Sequence, residues 1–118
     1  MIKIYGIKNC DTMKRAMKYL DSQGVDYIFH DYRKDGVDED LIRRWVMEYG
    51  LDVVLNKKGT TWRKLPESVK GSLDTQGAIK LLCENEAMIK RPVFELGDKC
   101  IIGFSKNEQN LLEEALLK

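Results

Sequence analysis

The sequence predicts an α/β fold: a four-stranded mixed sheet with helices packed on it and a helical insertion in the middle of the chain. Three observations predict it. Residues 1–30 pass from a period of two to a period of 3.6 and back, which is strand, helix, strand. The stretch after Arg91-Pro92 returns to a period of two, twice, around Gly97-Asp98. Between them, residues 31–90 carry helical patterns and loops only.

Each element follows in order. Ile2 to Tyr5 reads as a short strand. Met13, Ala16, Met17 and Leu20 fall at the i, i+3, i+4, i+7 spacing of one helical face, with Asp11 or Thr12 as candidate cap and Gln23-Gly24 as the stop. Val25 to His30 alternates as a second strand. Strand, helix, strand over so few residues is a βαβ unit, with parallel strands and a right-handed crossover. Asp31 to Gly36 is a polar loop. Asp38 caps a helix with Leu41, Ile42, Trp45, Val46 and Tyr49 inward, ended by Gly50. Leu51 to Leu55 is an apolar turn, Asn56 to Thr61 a basic loop, and Trp62 to Val69 a short helix limited by Pro66. Asp74 or Thr75 opens a helix with Ala78, Ile79, Leu82 and Cys83 on one face, followed by a turn at Ala87 to Ile89. Val93–Leu96 and Lys99–Phe104 form an antiparallel hairpin. Ser105 and Glu108 make a capping box for a last helix with Leu111, Leu112, Ala115 and Leu116 inward.

Composition narrows the function classes. The chain has 118 residues, enough for one domain with one core. A net charge of +1 lacks the basic excess of a nucleic-acid footprint. No stretch has the length and apolarity of a membrane span, and the opening residues lack a secretory leader. Three widely spaced cysteines and one histidine make neither a disulfide framework nor a zinc site. These features predict a protein of a reducing compartment, hence cytoplasmic.

The chemistry centres on Cys10. It sits between the first strand and the first helix, where unpaired amide N–H groups and the helix dipole favour an anion. Cysteines so placed ionise well below the ordinary thiol value, and the thiolate is the nucleophile. Its neighbours Asn9, Asp11 and Thr12 are polar, so the thiol does not read as buried packing. Lys8 and Lys14 should lower its pKa, whereas Asp11 should raise it. Cys83, on an apolar helix face, and Cys100, in a hairpin strand, read first as packing residues. His30 ends a strand beside Asp31 and has no evident link to Cys10. Trp45 reads as core and Trp62 as rim.

The order βαβ, helices, ββα is the thioredoxin-like arrangement, with a core over about 1–30 and 91–118 and an insertion over about 31–90. The segments Tyr-Gly-Ile-Lys-Asn-Cys10-Asp-Thr, His30-Asp-Tyr-Arg-Lys-Asp-Gly36, Leu55-Asn-Lys-Lys-Gly-Thr-Thr-Trp-Arg-Lys-Leu65 and Lys90-Arg-Pro-Val93 make the chain resemble the arsenate reductase-like (ArsC/Spx) family. The resemblance is greatest to its YffB-like branch and covers nearly the whole chain. It implies that Cys10 is the nucleophile and that Arg91 faces it, stabilising the thiolate and offering a donor fork to an oxyanion or carboxylate. It implies that Pro92 is the cis-proline of the fold. Asn9, Asp11, Thr12, Lys57, Arg63 and Pro92 would then contact the substrate or glutathione, with no bound cofactor or metal.

Departures from the family pattern shape the expected activity. Met13 occupies the resolving position of a C-x-x-C motif, so Cys10 has no local disulfide partner. Arsenate reductases of the family carry two further arginines, and here Asn56 and Gly103 or a neighbour occupy those positions. The expected activity is a glutathione-dependent thiol reductase working through a mixed disulfide, with glutaredoxin as a possible partner. The alternatives are an Spx-type regulator binding the RNA polymerase α subunit, or arsenate reduction linked to glutathione and glutaredoxin. Either Cys83 or Cys100 could also resolve Cys10.

Overall fold

The computed structural model describes residues 1–117; Lys118, the last residue of the expected core stretch, lies outside them. The elements are β1 (Ile2–Gly6), α1 (Asp11–Ser22), β2 (Tyr27–Asp31), α2 (Tyr32–Asp35), α3 (Glu39–Tyr49), α4 (Leu51–Val54), α5 (Thr60–Arg63), α6 (Glu67–Ser72), α7 (Thr75–Glu84), a 3₁₀ turn (Glu86–Met88), β3 (Val93–Leu96), β4 (Lys99–Ile102) and α8 (Lys106–Leu116). The chain divides into two compact units, Met1–Asp35 with the chain from Arg91 onward, and Gly36–Lys90.

The first unit holds a four-stranded mixed sheet in the order β2-β1-β3-β4. β1 and β2 are parallel, with Ile4 beside Phe29 and Tyr5 beside His30. β3 runs antiparallel to β1, with Tyr5 beside Val93, and β4 antiparallel to β3, with Glu95 beside Cys100. The expected α/β class and mixed sheet are therefore present. Strand alternation sends Ile2, Ile4 and Phe94 to one face, where they pack with Met13, Ala16 and Leu20 of α1, Phe104, and Leu112 of α8. Lys3, Tyr5, His30, Val93, Glu95 and Cys100 alternate to the other face. Gly97, at φ 70°, turns the β3–β4 hairpin, and Gly24, at φ 66°, closes α1.

Gly6 is fixed by packing rather than by its backbone angle. A Cβ there would overlap Sδ and Cε of Met13, which is fully buried in the first turn of α1. The fully buried Met13 side chain occupies the space over the bare Cα at the end of β1.

The second unit buries Leu41, Ile42, Trp45 and Val46 of α3 and Ala78, Ile79 and Leu82 of α7. Arg43 Nη1 donates to Gln76 Oε1 at 2.5 Å between these two helices. Leu55 and Ile89 form an isolated antiparallel bridge, flanked by the Lys90 amide donating to the Val54 carbonyl at 2.7 Å.

Several local expectations change. β2 starts at Tyr27 because the Val25 amide is taken up by the Leu20 carbonyl in closing α1, at 3.1 Å. The Asp31–Gly36 loop contains a helical turn, α2: Asp31 Oδ1 accepts from the Arg33 amide, and Asp35 Oδ2 accepts from the Asp31 amide, both at 3.0 Å. Leu51 to Leu55 likewise holds the one-turn helix α4. The helix expected over Trp62 to Val69 is two pieces, α5 and α6. Pro66 caps the second in extended backbone, and its ring disfavours helical geometry in the residue before it. In α8 the capping box forms as expected, but Leu111 is 48% exposed and Ala115 is exposed too. Its inward stripe is only Leu112 and Leu116. No helix of the described residues is long and apolar enough to cross a membrane.

Candidate active site

Cys10 is itself the N-cap of α1, in extended backbone at φ −122° and ψ 128°. The expected cap, Asp11 or Thr12, is already inside the helix. The Cys10 carbonyl accepts from the Lys14 amide at 3.0 Å, so the residue is held by the first backbone bond of the helix. Its side chain closes no cap hydrogen bond of regular geometry. The Met13 and Thr12 amides instead face the sulfur, the orientation that favours a thiolate.

Arg91 completes the pair. It follows the helical segment and precedes Pro92 at the start of β3, and the Arg91-Pro92 peptide is cis. The Gly103 amide donates to the Pro92 carbonyl at 2.8 Å, tying this end of β3 to β4. The parallel strands β1 and β2 end, and antiparallel β3 begins, at the same edge of the sheet. Cys10 and Arg91 therefore meet there. Partial burial by itself pushes the Cys10 thiol up. The Met13 amide, the Arg91 hydrogen bond, the Arg91 charge and the Thr12 amide together outweigh it, and the thiol ionises below its ordinary value. The cation at the sulfur is thus Arg91; Lys8 and Lys14 are exposed.

The other expected site residues are placed as follows. Asn9 and Asp11 are exposed on either side of Cys10, Thr12 is half-buried, and Pro92 is buried. Lys57 and Arg63 belong to the second unit. There Lys57 Nζ pairs with Asp52 Oδ1 at 2.9 Å, and Arg63 ends α5 exposed. None of Cys10, Cys83 and Cys100 is in a disulfide. The Cys83 thiol is pushed up by burial, with Glu39 and Asp38 adding to it, so it is a poor nucleophile. Cys100 stands level with Glu95 and Lys3, back from the edge where Cys10 emerges. Sequence reasoning missed an aromatic group at that edge: Tyr5, His30 and Tyr32, with Tyr5 and His30 ring centroids 5.1 Å apart. Strand parity, which puts residues 5 and 30 on one face, was the signal that could have found it.

The pH dependence has a definite sign. A lowered thiol pKa places the thiolate at lower pH, so alkylation of Cys10 by iodoacetamide has its midpoint below that of a free cysteine. Arg91→Ala removes a hydrogen bond and a charge that favour the thiolate, while the penalty of burial stays. The midpoint should rise, and each unit of rise slows alkylation below the midpoint about tenfold. An alkylation profile unchanged by Arg91→Ala would remove Arg91 from thiol activation.

The sequence model of the ArsC family matches residues 5–111. The chain belongs to the ArsC family. A solved structure designated the YFFB (PA3664) protein is 47% identical, with a TM-score of 0.87 over 94% of this chain and 97% of its own. An arsenate reductase (ArsC) related protein from Brucella melitensis is 42% identical, with a TM-score of 0.78 over 96% of this chain and 94% of its own. More distantly, the global transcriptional regulator Spx of Streptococcus pyogenes is 22% identical over 92% of this chain and 81% of its own. ArsC-family membership accords with the sheet order observed here and gives the fold its thioredoxin-like name.

Proposed function

We propose that this ArsC-family protein is a thiol reductase that uses Cys10 as nucleophile and glutathione as the reducing thiol. The observation that carries the reading is the Cys10–Arg91 pair at the α1 N-terminus, a thiol with a lowered pKa and no second cysteine in the same turn. The Cys10 thiolate attacks one sulfur of a disulfide substrate, forms a Cys10 mixed disulfide and expels the other sulfur as a thiolate. Glutathione thiolate then attacks the substrate sulfur of that mixed disulfide and releases the Cys10 thiolate. A second glutathione, or glutaredoxin, reduces the glutathionylated product. The substrate gains two electrons and two glutathiones are oxidised. Arg91, with donors from Asn9 and Thr12, supplies the contacts for a glutathione carboxylate.

Arsenate reduction fits less well. By the family resemblance, Asn56 and Gly103 or a neighbour occupy the positions of the two further arginines, and Gly103 itself adopts φ 105°, a backbone that an arginine would strain. Regulation by polymerase binding has only the distant Spx match behind it, and Met13 removes a C-x-x-C switch.

Exposure to oxidised glutathione followed by peptide mass spectrometry tests the reading. A single glutathione adduct on Cys10 is expected. An internal disulfide from Cys10 to Cys83 or Cys100, or an unmodified Cys10, would overturn it.

A further inference from the structure

The same edge of the sheet holds a buried group that the reductase chemistry above leaves unused. Tyr32, the first residue of α2, is 3% exposed. Its ring stacks on Tyr5 at 6.3 Å and 22°, and meets His30 edge-on at 5.9 Å. Its hydroxyl is buried and has no hydrogen-bond partner among the described residues. A phenylalanine would keep every ring contact without that desolvated oxygen, so packing does not explain the hydroxyl. The charged and titratable groups acting on it are Tyr5 and Cys100, which disfavour its ionisation, and Arg91, whose charge opposes them. His30 touches its ring.

Topology explains why Arg91 is there. His30 and Val93 flank Tyr5 on either side in the sheet. Tyr32 lies two residues past His30 on β2's outgoing side, and Arg91 two residues before Val93 on β3's incoming side. One guanidinium therefore acts on both the Cys10 thiol and the Tyr32 phenol. Its Nε is also buried.

We infer that Tyr32 is a positioning residue for Arg91: when Cys10 is ionised, its hydroxyl oxygen accepts an N–H of the guanidinium and so fixes the direction of the donor fork. A planar guanidinium anchored on one side presents its remaining N–H groups in one plane, toward the sulfur. Hydrogen bonds at reacting groups are often long or poorly aligned until the charge they serve has formed, and the buried Tyr32 hydroxyl is without a partner among the described residues. The inference deepens the thiol reductase reading and rests on its assignment of Cys10 and Arg91.

The test is the pH profile of Cys10 alkylation by iodoacetamide in the wild type, Tyr32→Phe, Arg91→Ala and the double variant, with thermal midpoints beside it. Tyr32→Phe should raise the alkylation midpoint and slow alkylation near neutral pH roughly two- to tenfold, as loss of one hydrogen bond implies. Its thermal midpoint should hold or rise. In the Arg91→Ala background, Tyr32→Phe should have no further effect. An unchanged midpoint in Tyr32→Phe overturns the inference, as does an equal shift with and without Arg91, or an Arg91→Ala profile that matches the wild type. The assay contains no glutathione, so failure to form the glutathione adduct would strike the reductase reading and leave this result decisive on its own.

Discussion

Cys10→Ser is expected to abolish glutathione-dependent reduction while leaving the fold intact. Serine has nearly the same size, but its hydroxyl stays protonated at neutral pH, and an oxygen cannot enter a mixed disulfide. The donors at the α1 N-terminus and Arg91 would remain, with no nucleophile for them to stabilise. Stability should move the other way. Cys10 is the N-cap of α1 and closes no side-chain cap bond, whereas serine is among the preferred N-cap residues and adds about 0.5–1 kcal/mol there. A coupled reductase assay and a thermal melt on one preparation measure both. Turnover within tenfold of wild type would remove Cys10 as the nucleophile, and a lowered melting midpoint would contradict its place as N-cap.

Phe94→Ala is expected to have the largest effect on stability. Phe94 is fully buried in β3, the strand that pairs with both β1 and β4. Its neighbours in register are Ile4 and Ile101, and its ring lies 6.0 Å from that of Phe104. Truncation removes the centre of the cluster joining the sheet to α1 and α8. Loss of a buried phenylalanine costs about 3–5 kcal/mol, against a total of about 5–15 kcal/mol for a domain. Denaturant titration should show the midpoint fall accordingly. A loss below about 1 kcal/mol would mean that the cavity refills and that Phe94 is not the keystone of this core.

Much of this architecture was legible in the sequence because burial leaves a period. Met13, Ala16 and Leu20 mark α1, and Ala78, Ile79 and Leu82 mark α7, because one face of each helix is buried. Asp38, Asp74 and Ser105 mark helix starts because a short polar side chain must satisfy the first amides. One-turn helices escaped. α2 and α4 are too short to show a period, and hydrogen bonds within the turn decide α2, such as those made by Asp31 and Asp35, whereas α5 and α6 were read as one helix. The apolar face of α8 was over-read, since Leu111 and Ala115 are apolar yet exposed.

For the candidate site, local sequence was enough to place Cys10 at a helix N-terminus, because a strand pattern ending at Tyr5 and a helix pattern beginning near Met13 leave room for nothing else. That position favours the thiolate, since backbone amides do not depend on what lies elsewhere in the chain, and Arg91 joins those amides in outweighing burial. Met13 in the same turn also shows, from sequence alone, that Cys10 has no C-x-x-C partner. The meeting of Cys10 with Arg91 was available only by family resemblance, because it depends on β3 running antiparallel beside β1. The arrangement of Tyr32 beside Arg91 was not legible at all. Residues 5, 10, 32 and 91 share no periodicity, and only the closing of four strands into one sheet brings their strand ends to one edge.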